Sequence, residues 1–332
     1  MANDVKVVIQ LTQAVGKVGF GVPLLVAAGE TDAKEYKEYA NITEVKADFE
    51  SGDVYEAAKL LFMQNNAPAK IAIVTGTTTV ADLLDANWAK EWRQLIVVKY
   101  GADETVDTVA EYVEAKKDKL FFAAVNDATK IPNAEGVAKA YERTYIMVYK
   151  STDVKNPEAA IVGATAGLDA GSFTYKNIIV KGLTAQALTD AEIEAIHDAG
   201  GYTVVLKAGD LVTTEGKVMS GEYTDIVDCK DYVVKNIEYK VQKTFNKMPK
   251  LPYDNRGIAM VAAQVETVLK DAYNMGVIAE RADGTADYTV ATLGRDEVPA
   301  SDRATRQYNG CTFSFGLAGA IHNAEIFGEI VV

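Results

Sequence analysis

The sequence predicts a chain that begins as an α/β fold and continues as an α+β fold, and three observations carry this prediction. Short apolar segments alternate with amphipathic segments up to about residue 150, which is typical of a mostly parallel sheet with helices on its faces. Beyond that point the alternation stops, and two long stretches of helical periodicity follow. Both ends of the chain carry strand-like segments.

The first half predicts five strands and four helices. An uninterrupted apolar run such as VPLLVAA is typical of a strand that is buried on both faces, and threonine is a good residue to open a helix. The predicted strands are VPLLVAA (22–28), IAIV (71–74), LIVV (95–98), LFFAAV (120–125) and YIMVY (145–149). The predicted helices span 53–65, 77–88 and 103–117, and Pro132 opens a fourth.

The second half predicts longer helices and fewer, more scattered strands. Two long helices are expected at about Lys230–Phe245 and Asp254–Asn274, and Asp254 is the N-cap of the second. Shorter helices are expected at 156–169 and 189–201. The remaining predicted strands are NIIV (177–180), YTVVLKAGD (202–210), YTVATL (288–293), CTFSF (311–315) and the terminal segment.

Composition limits the classes of function. The 332 residues are 48% hydrophobic and carry a net charge of −13, which argues against a free nucleic-acid-binding protein. The start, MANDVKVVIQL, lacks the basic and then apolar pattern of a signal peptide, so we expect synthesis in the cytoplasm without membrane insertion. Cys229 and Cys311 could form one disulfide, but a chain of this length does not require it.

Signatures of catalysis are sparse. The two histidines, His197 and His322, lie in a predicted helix and in the terminal strand, and both are expected to be structural. The sequence contains no GxSxG, HExxH or CxxC motif. The acidic stretch DGTAD (283–287) is interpreted as a turn rather than a metal-binding loop. We therefore predict no catalytic residue, no metal and no cofactor.

Two glycine-containing stretches are candidates for a nucleotide site. GKVGFG (16–21) precedes a strand, whereas a dinucleotide fingerprint follows one and opens a helix. VTGTTT (74–79) does follow a strand and open a helix, where bare N–H groups could hold an anion. It lacks the lysine and second glycine of a phosphate-binding loop, so a plain capped turn is favoured.

The chain ends are the most informative feature. Strand-like segments occur near both termini, and links containing glycine join them to the body of the chain. An unpaired strand edge is a liability in a monomer, but it can serve assembly by adding to the sheet of a neighbour. The pattern does not decide whether these segments pair within their own domain or with a neighbouring subunit. The residues concerned are Val5, Val7, Ile9 and Leu11, and Ala324, Ile326, Phe327, Ile330 and Val332.

One helical face carries three lysines, Lys240, Lys243 and Lys247, in an otherwise acidic protein. Such a spacing is typical of a solvated face. The alternative is a surface that docks onto an acidic partner.

Four stretches together resemble the contractile tail sheath proteins of bacteriophages and phage-derived particles. The terminal stretch is the most specific, and the likeness covers the ends and about 175–332. The stretches are GFGVPLLVA (19–27), YKNIIVKGLTAQALTDAEIEAIHDAGGYTVVLKAGD (175–210), SGEYTDIVDCKDYVVKNIEYKVQKTF (220–245) and DRATRQYNGCTFSFGLAGAIHNAEIFGEIVV (302–332).

The resemblance implies a non-enzymatic subunit that forms stacked rings around a tail tube. It implies a core domain of mixed sheet and two long helices, built from both chain ends, with an inserted α/β domain that points outward. The implied parts are an N-terminal arm (1–18), an inserted domain (19–175), a core domain (176–320) and a C-terminal arm (321–332). The arms pair with neighbouring subunits, and contraction is a switch between two packings that needs no nucleotide.

The resemblance also implies partners and a location. The expected partners are further copies of the chain, the tail tube protein, and baseplate and terminator proteins, with no nucleic acid and no membrane. The lysine face at Lys240, Lys243 and Lys247 is a candidate for tube contact from its charge alone. The expected location is a virion tail or phage-like particle, made in the bacterial host cytoplasm. Two alternatives remain: a tube or baseplate component, and a cytosolic α/β enzyme with a nucleotide at VTGTTT.

Overall fold

A seven-stranded sheet organises residues 22–202 in the computed structural model, which describes residues 21–134 and 137–323. Its strand order is β2-β3-β1-β4-β5-β8-β9. All neighbours are parallel except β2 and β3, which are antiparallel. The strands are β1 (Val22–Ala27), β2 (Lys34–Tyr39), β3 (Ile71–Thr75), β4 (Trp92–Lys99), β5 (Leu120–Val125), β8 (Thr144–Val148) and β9 (Gly201–Tyr202).

Helices cover both faces of this sheet, because its central strands alternate apolar side chains to either side. Leu25 of β1 enters one core cluster while Leu24 and Val26 enter the other. Every residue of the helix α5 (Glu158–Thr165) is buried. A Cβ at its Gly163 would lie only 2.4 Å from the carbonyl oxygen of Leu61 in the helix α2 (Asp53–Phe62), so a glycine allows the two helices to pack this closely. These helices are α1 (Ile42–Asp48), α2 (Asp53–Phe62), α3 (Val80–Asn87), α4 (Val106–Lys116), α5 (Glu158–Thr165) and α6 (Asp190–Asp198).

Two long helices, joined by a short loop, and a two-stranded sheet form most of the chain after the large sheet. The Asp254 side chain accepts a 2.9 Å hydrogen bond from the Gly257 N–H, as an N-cap should. Val233, Val265, Leu269 and Ala272 build a third core cluster between the helices and the sheet. The elements are α7 (Thr224–Lys247), α8 (Asn255–Asn274), β12 (Tyr288–Thr292), α9 (Ala300–Ala304) and β13 (Cys311–Phe315), and two small hairpins precede them, β6–β7 (Asn133–Ala134, Val137–Ala138) and β10–β11 (Val204–Lys207, Asp210–Thr213).

A buried ion-pair network joins α7 to the large sheet. The Arg93 guanidinium of β4 lies 2.7 Å from Asp228 and 2.8 Å from Asp231, both on α7. Asp231 also pairs with Arg143, and the Tyr175 hydroxyl donates a 2.6 Å hydrogen bond to Asp228. Removing the arginines or the aspartates would leave the opposite charges buried without a partner. The network therefore fixes the start of α7 against the sheet.

The predicted fold class is confirmed: a mixed sheet flanked by helices precedes two long helices and further strands. Four element predictions were wrong. YTVVLKAGD (202–210) is not one strand, because it contains the end of β9, all of β10 and the turn into β11. Pro132 opens the β6–β7 hairpin rather than a helix. NIIV contributes only a single bridge, Ile179 with Val212. The first long helix begins at Thr224 instead of Lys230.

The predicted arms and the predicted domain boundary both stay predictions. The predicted N-terminal arm (1–18) lies outside the described residues, and so does the predicted C-terminal arm (321–332) from residue 324 onward. The boundary at 175/176 falls between strands of one sheet, because β9 adds Gly201–Tyr202 to the strands of the first half.

Candidate functional site

Among residues 21–134 and 137–323, no further strand pairs with either outer edge of the hairpin β12–β13. Backbone bonds from Gly316 N–H to Asp287 and from Leu293 N–H to Gly310 mark the two ends of its ladder. Hydrogen-bonded pairs alternate with non-bonded pairs in an antiparallel ladder. Val290 and Phe313, which are opposite one another, form a non-bonded pair, so their N–H and C=O groups point away from the hairpin.

The same alternation separates the two faces of the hairpin. Tyr288, Val290, Cys311 and Phe315 pack against the core cluster of α7 and α8. The opposite face carries small, exposed residues, of which Thr289 and Ser314 share a 2.7 Å hydrogen bond. One face of this sheet is therefore committed to the helices, while both edges remain available for further strands.

The two edges of the large sheet are protected, and those of the hairpin β12–β13 are not. The edge strand β2 has the sequence KEYKEY, and the opposite edge of the large sheet is the two-residue strand β9. Charged residues and short strands are the usual defences against edge pairing. By contrast, YTVAT of β12 and CTFSF of β13 contain no charged residue. The two strands of the hairpin therefore lack the charged residues that protect β2.

The helix layer beneath the hairpin is wider than the hairpin. Two helices packed side by side span about 20 Å, whereas two strands at a spacing of about 4.8 Å cover roughly 10 Å. On α7, Val234 and Phe245 are 43% and 45% exposed. A sheet of about four strands would match the width of this layer, whereas two strands cover it in the described part of the chain.

The chain that follows β13 runs away from its own hairpin towards the start of α7. The Ala318 N–H donates to the Val277 carbonyl at the end of α8. Farther along, the His322 ring meets the Tyr223 ring edge to face at 5.1 Å. Asn323 then lies 3.5 Å from the Lys176 ammonium. The predicted arm residues Ala324, Ile326, Phe327, Ile330 and Val332 continue from here, and like Val5, Val7, Ile9 and Leu11 they lie outside the described residues.

The three predicted lysines differ in their surroundings. Lys240 forms a 2.6 Å ion pair with Asp271 of α8. The Lys243 ammonium donates to the Tyr239 hydroxyl at 3.1 Å and lies over the Tyr239 ring. Lys247 ends α7 as an exposed residue. Lys243 and Lys247 are thus more available to a partner than Lys240 is.

The helix start at VTGTTT is already occupied by protein carboxylates. The Glu104 side chain accepts hydrogen bonds from the N–H groups of Val80 and Ala81, at 2.8 and 3.3 Å. Thr79 and Asp82 complete a capping box at the same turn. These are the N–H groups that an anion would use, so the turn is a capped one and not an open phosphate site.

His197 and the two cysteines were the other side chains of interest in the sequence. His197 Nε2 lies 2.9 Å from the Thr214 hydroxyl, and burial lowers the pKa of the imidazole. Cys229 and Cys311 are both free thiols, and burial raises the pKa of Cys229 to about 12. In the described part of the chain, no group of three or more histidine, cysteine or acidic side chains could hold a metal ion. Among those same residues, no helix combines the length and apolarity needed to cross a bilayer.

Comparison with known proteins places the fold. No protein-family model matches the sequence, and no curated protein matches it. Three solved structures are similar over 94% of this chain: a chain of the anti-feeding prophage baseplate (TM-score 0.70, 14% identity, 93% of that chain), one of the contracted helical sheath of the same particle (0.70, 15%, 93%), and one of the contracted sheath complex of the PVC extracellular contractile injection system (0.69, 12%, 91%).

Each of these chains belongs to a sheath or baseplate assembly. The chain described here therefore has the fold of contractile sheath proteins. The resemblance drawn from the sequence is confirmed at the level of the fold.

Proposed function

We propose that this protein is a structural subunit of a contractile sheath, which assembles with copies of itself around a tail tube and shortens to drive the tube through a cell envelope. The observation that carries the proposal is the β12–β13 hairpin, with two unprotected edges on a helix layer that is wide enough for about four strands. A protein with a sheath fold and two missing strands is suited to strand addition between copies.

The two missing strands correspond in number to the two strand-like ends of the sequence. In the proposal, Val5–Leu11 of one copy and Ala324–Val332 of another pair with the open edges of a third. The chain leaves its own hairpin and reaches Tyr223 before the C-terminal arm begins, which favours a neighbour as the acceptor. Backbone hydrogen bonds to the edges hold copies together while the bodies of the subunits change their packing.

The remaining partners are proposed on the same basis. Lys243 and Lys247 form part of the surface that contacts an acidic tail tube, and baseplate and terminator proteins contact the ends of the assembly. The subunit works without catalysis and without a nucleotide, in a virion tail or a phage-like particle made in the host cytoplasm. The capped turn at Val80, held by Glu104, supports the absence of a nucleotide.

The sharpest test compares two substitutions at Phe313. Both Phe313→Pro and Phe313→Ala remove the aromatic ring, but only proline removes the outward N–H. Proline is tolerated where an edge N–H faces solvent, so both variants should fold. We expect the alanine variant to form tubular polymers in negative-stain images and the proline variant to remain unassembled. Equal assembly by both variants would refute strand addition at this edge.

A deletion tests the proposed role of the C-terminal arm in assembly. A protein that lacks Ala324–Val332 should be folded and should not polymerise. Polymers of normal diameter from this truncated protein would contradict the role of the C-terminal arm.

A further inference from the structure

The dipeptide Asn309–Gly310 stands directly before β13 and is the only Asn–Gly pair in the sequence. Packing requires the glycine, because a Cβ at 310 would lie 2.9 Å from the Leu293 Cβ and equally close to the Tyr308 ring. Asn309 is exposed, and within residues 21–134 and 137–323 no hydrogen bond holds its side-chain amide. An unbonded asparagine amide is therefore followed by a residue that has no side chain to shield its nitrogen.

The Gly310 N–H lacks the hydrogen bond that an antiparallel ladder would give it. Opposite residues in a bonded pair exchange two hydrogen bonds, and the Leu293 N–H does donate to the Gly310 carbonyl at 2.9 Å. The Leu293 carbonyl instead accepts from the Tyr308 hydroxyl at 2.9 Å, and in the described part of the chain nothing accepts from the Gly310 N–H. The Gly310 nitrogen is therefore not tied to a carbonyl.

We propose that Asn309 is a site of spontaneous deamidation, with the Gly310 nitrogen as the nucleophile and Tyr308 as the residue that keeps this nitrogen free. The nitrogen attacks Cγ of Asn309, the bond from Cγ to Nδ2 breaks, and ammonia leaves with the proton that the Gly310 nitrogen gives up. Water then opens the succinimide ring, which leaves aspartate or isoaspartate at 309. The reaction consumes one water and releases one ammonia, and it needs no other reactant.

The single Asp–Gly pair in the sequence provides an internal contrast. Asp283–Gly284 has the atoms for the same ring, but both reacting groups are engaged. The Gly284 N–H donates to the Arg281 carbonyl at 2.9 Å. The Asp283 carboxylate accepts from the Thr285 N–H at 3.0 Å and from the Thr285 hydroxyl at 2.7 Å. Ring closure is therefore expected at Asn309 and not at Asp283.

Either product alters the amino end of β13. Aspartate adds a negative charge, and isoaspartate lengthens the main chain by one carbon atom. That carbon would fall directly before the ladder bond from Leu293 to Gly310, so it would shift the start of β13 against β12. The effect on assembly rests on the proposed function, in which the edge of this hairpin accepts a strand: copies that age before assembly would lose a properly aligned edge. The reaction itself does not rest on that function.

Peptide mapping by mass spectrometry tests the reaction on the full-length chain. Unassembled protein incubated at pH 8 in H₂¹⁸O should convert Asn309, faster than any other asparagine, to products that carry the heavy oxygen. Tyr308→Phe leaves the Leu293 carbonyl to the Gly310 N–H and should slow the conversion by about fivefold, the factor that one net hydrogen bond is worth. No conversion at Asn309, or an equal or faster rate in Tyr308→Phe, would overturn the inference.

Assembly of aged protein tests the consequence separately. After polymers are pelleted, chains with isoaspartate at 309 should be enriched in the supernatant by about tenfold. Asn309→Gln keeps an amide at this exposed site but closes the larger ring far more slowly, so it should assemble equally before and after ageing. Equal distribution of modified chains between pellet and supernatant would overturn the effect on assembly. A protein that never polymerises, fresh or aged, would refute the proposed function and not the reaction.

Discussion

Glu158 shows at the scale of one residue how the fold departs from a simple pattern. It lies in α5, where it is 2% exposed, and its Oε1 accepts a 3.2 Å hydrogen bond from Asn156. Its other oxygen, Oε2, has no hydrogen-bond partner among the described residues. Burial disfavours the ionised carboxylate and raises its pKa from 4.5 to about 7.

This shift predicts a pH-dependent stability. Below pH 4.5 the carboxyl is neutral in both states and carries no penalty. Between pH 4.5 and about 7 the unfolded chain loses this proton while the folded protein keeps it, so the free energy of unfolding should fall by up to about 3 kcal/mol across this range. Glu158→Gln should abolish this loss in urea titrations at pH 5 and pH 8. Glu142→Gln, at an exposed site, should leave it in place, and an unchanged loss in Glu158→Gln would contradict the assignment.

Residue-scale features of this kind could not be predicted from the sequence. A glutamate in the first turn of a helix is normally a solvated residue that favours the dipole. Its burial is decided by α2 and the sheet, which pack over α5 from distant parts of the chain. Similarly, nothing near Arg93 in the sequence indicates that Asp228, 135 residues away, is its partner.

At the scale of elements, the ion-pair network at the start of α7 makes a second prediction. Asp228→Ala leaves the buried Arg93 guanidinium without its closest carboxylate and should lower the free energy of unfolding by about 3–5 kcal/mol. Lys155→Ala removes an ion pair with Asp53 at an exposed site and should cost less than about 1 kcal/mol. Chemical denaturation followed by circular dichroism measures both. Similar losses for the two variants would contradict the role of the network.

The capped start of α3 makes a third prediction. Because Glu104, Thr79 and Asp82 use its free N–H groups, ATP with Mg²⁺ should not raise the melting temperature by more than about 1 °C. Thr77→Ala should leave assembly unchanged. Saturable stabilisation by ATP that is lost in Thr77→Ala would favour the nucleotide-binding alternative.

Elements with regular apolar periodicity were predictable, and those fixed by distant partners were not. The strands near Leu24, Ile73 and Ile96 and the helix capped by Asp254 were predicted correctly. The charged strand β2 was missed, since KEYKEY lacks apolar alternation. The start of α7 was placed six residues late, because the buried Asp228 interrupts the apolar stripe of that helix.

At the scale of the whole molecule, the part of the chain that the structure describes contains two sheets whose edges differ in their protection. Its large sheet has protected edges, whereas its small sheet covers only part of the α7–α8 layer. The likeness to sheath structures over 94% of the chain shows that it has the fold of contractile sheath proteins. The sequence alone indicated strand-like ends but not the edge with which they are proposed to pair. That edge is seen only in the structure, where β12 and β13 lie together with no third strand beside them in the described residues.

Residue-resolved hydrogen exchange of the hairpin, before and after assembly, tests the central claim most directly. The amides of Val290 and Phe313 point outward from the ladder, while those of Thr289 and Thr312 are bonded within it. If copies join by strand addition, the outward amides should become strongly protected in the polymer and the inward ones should change little. Polymers in which the amides of Val290 and Phe313 exchange as fast as in the unassembled protein would contradict the account.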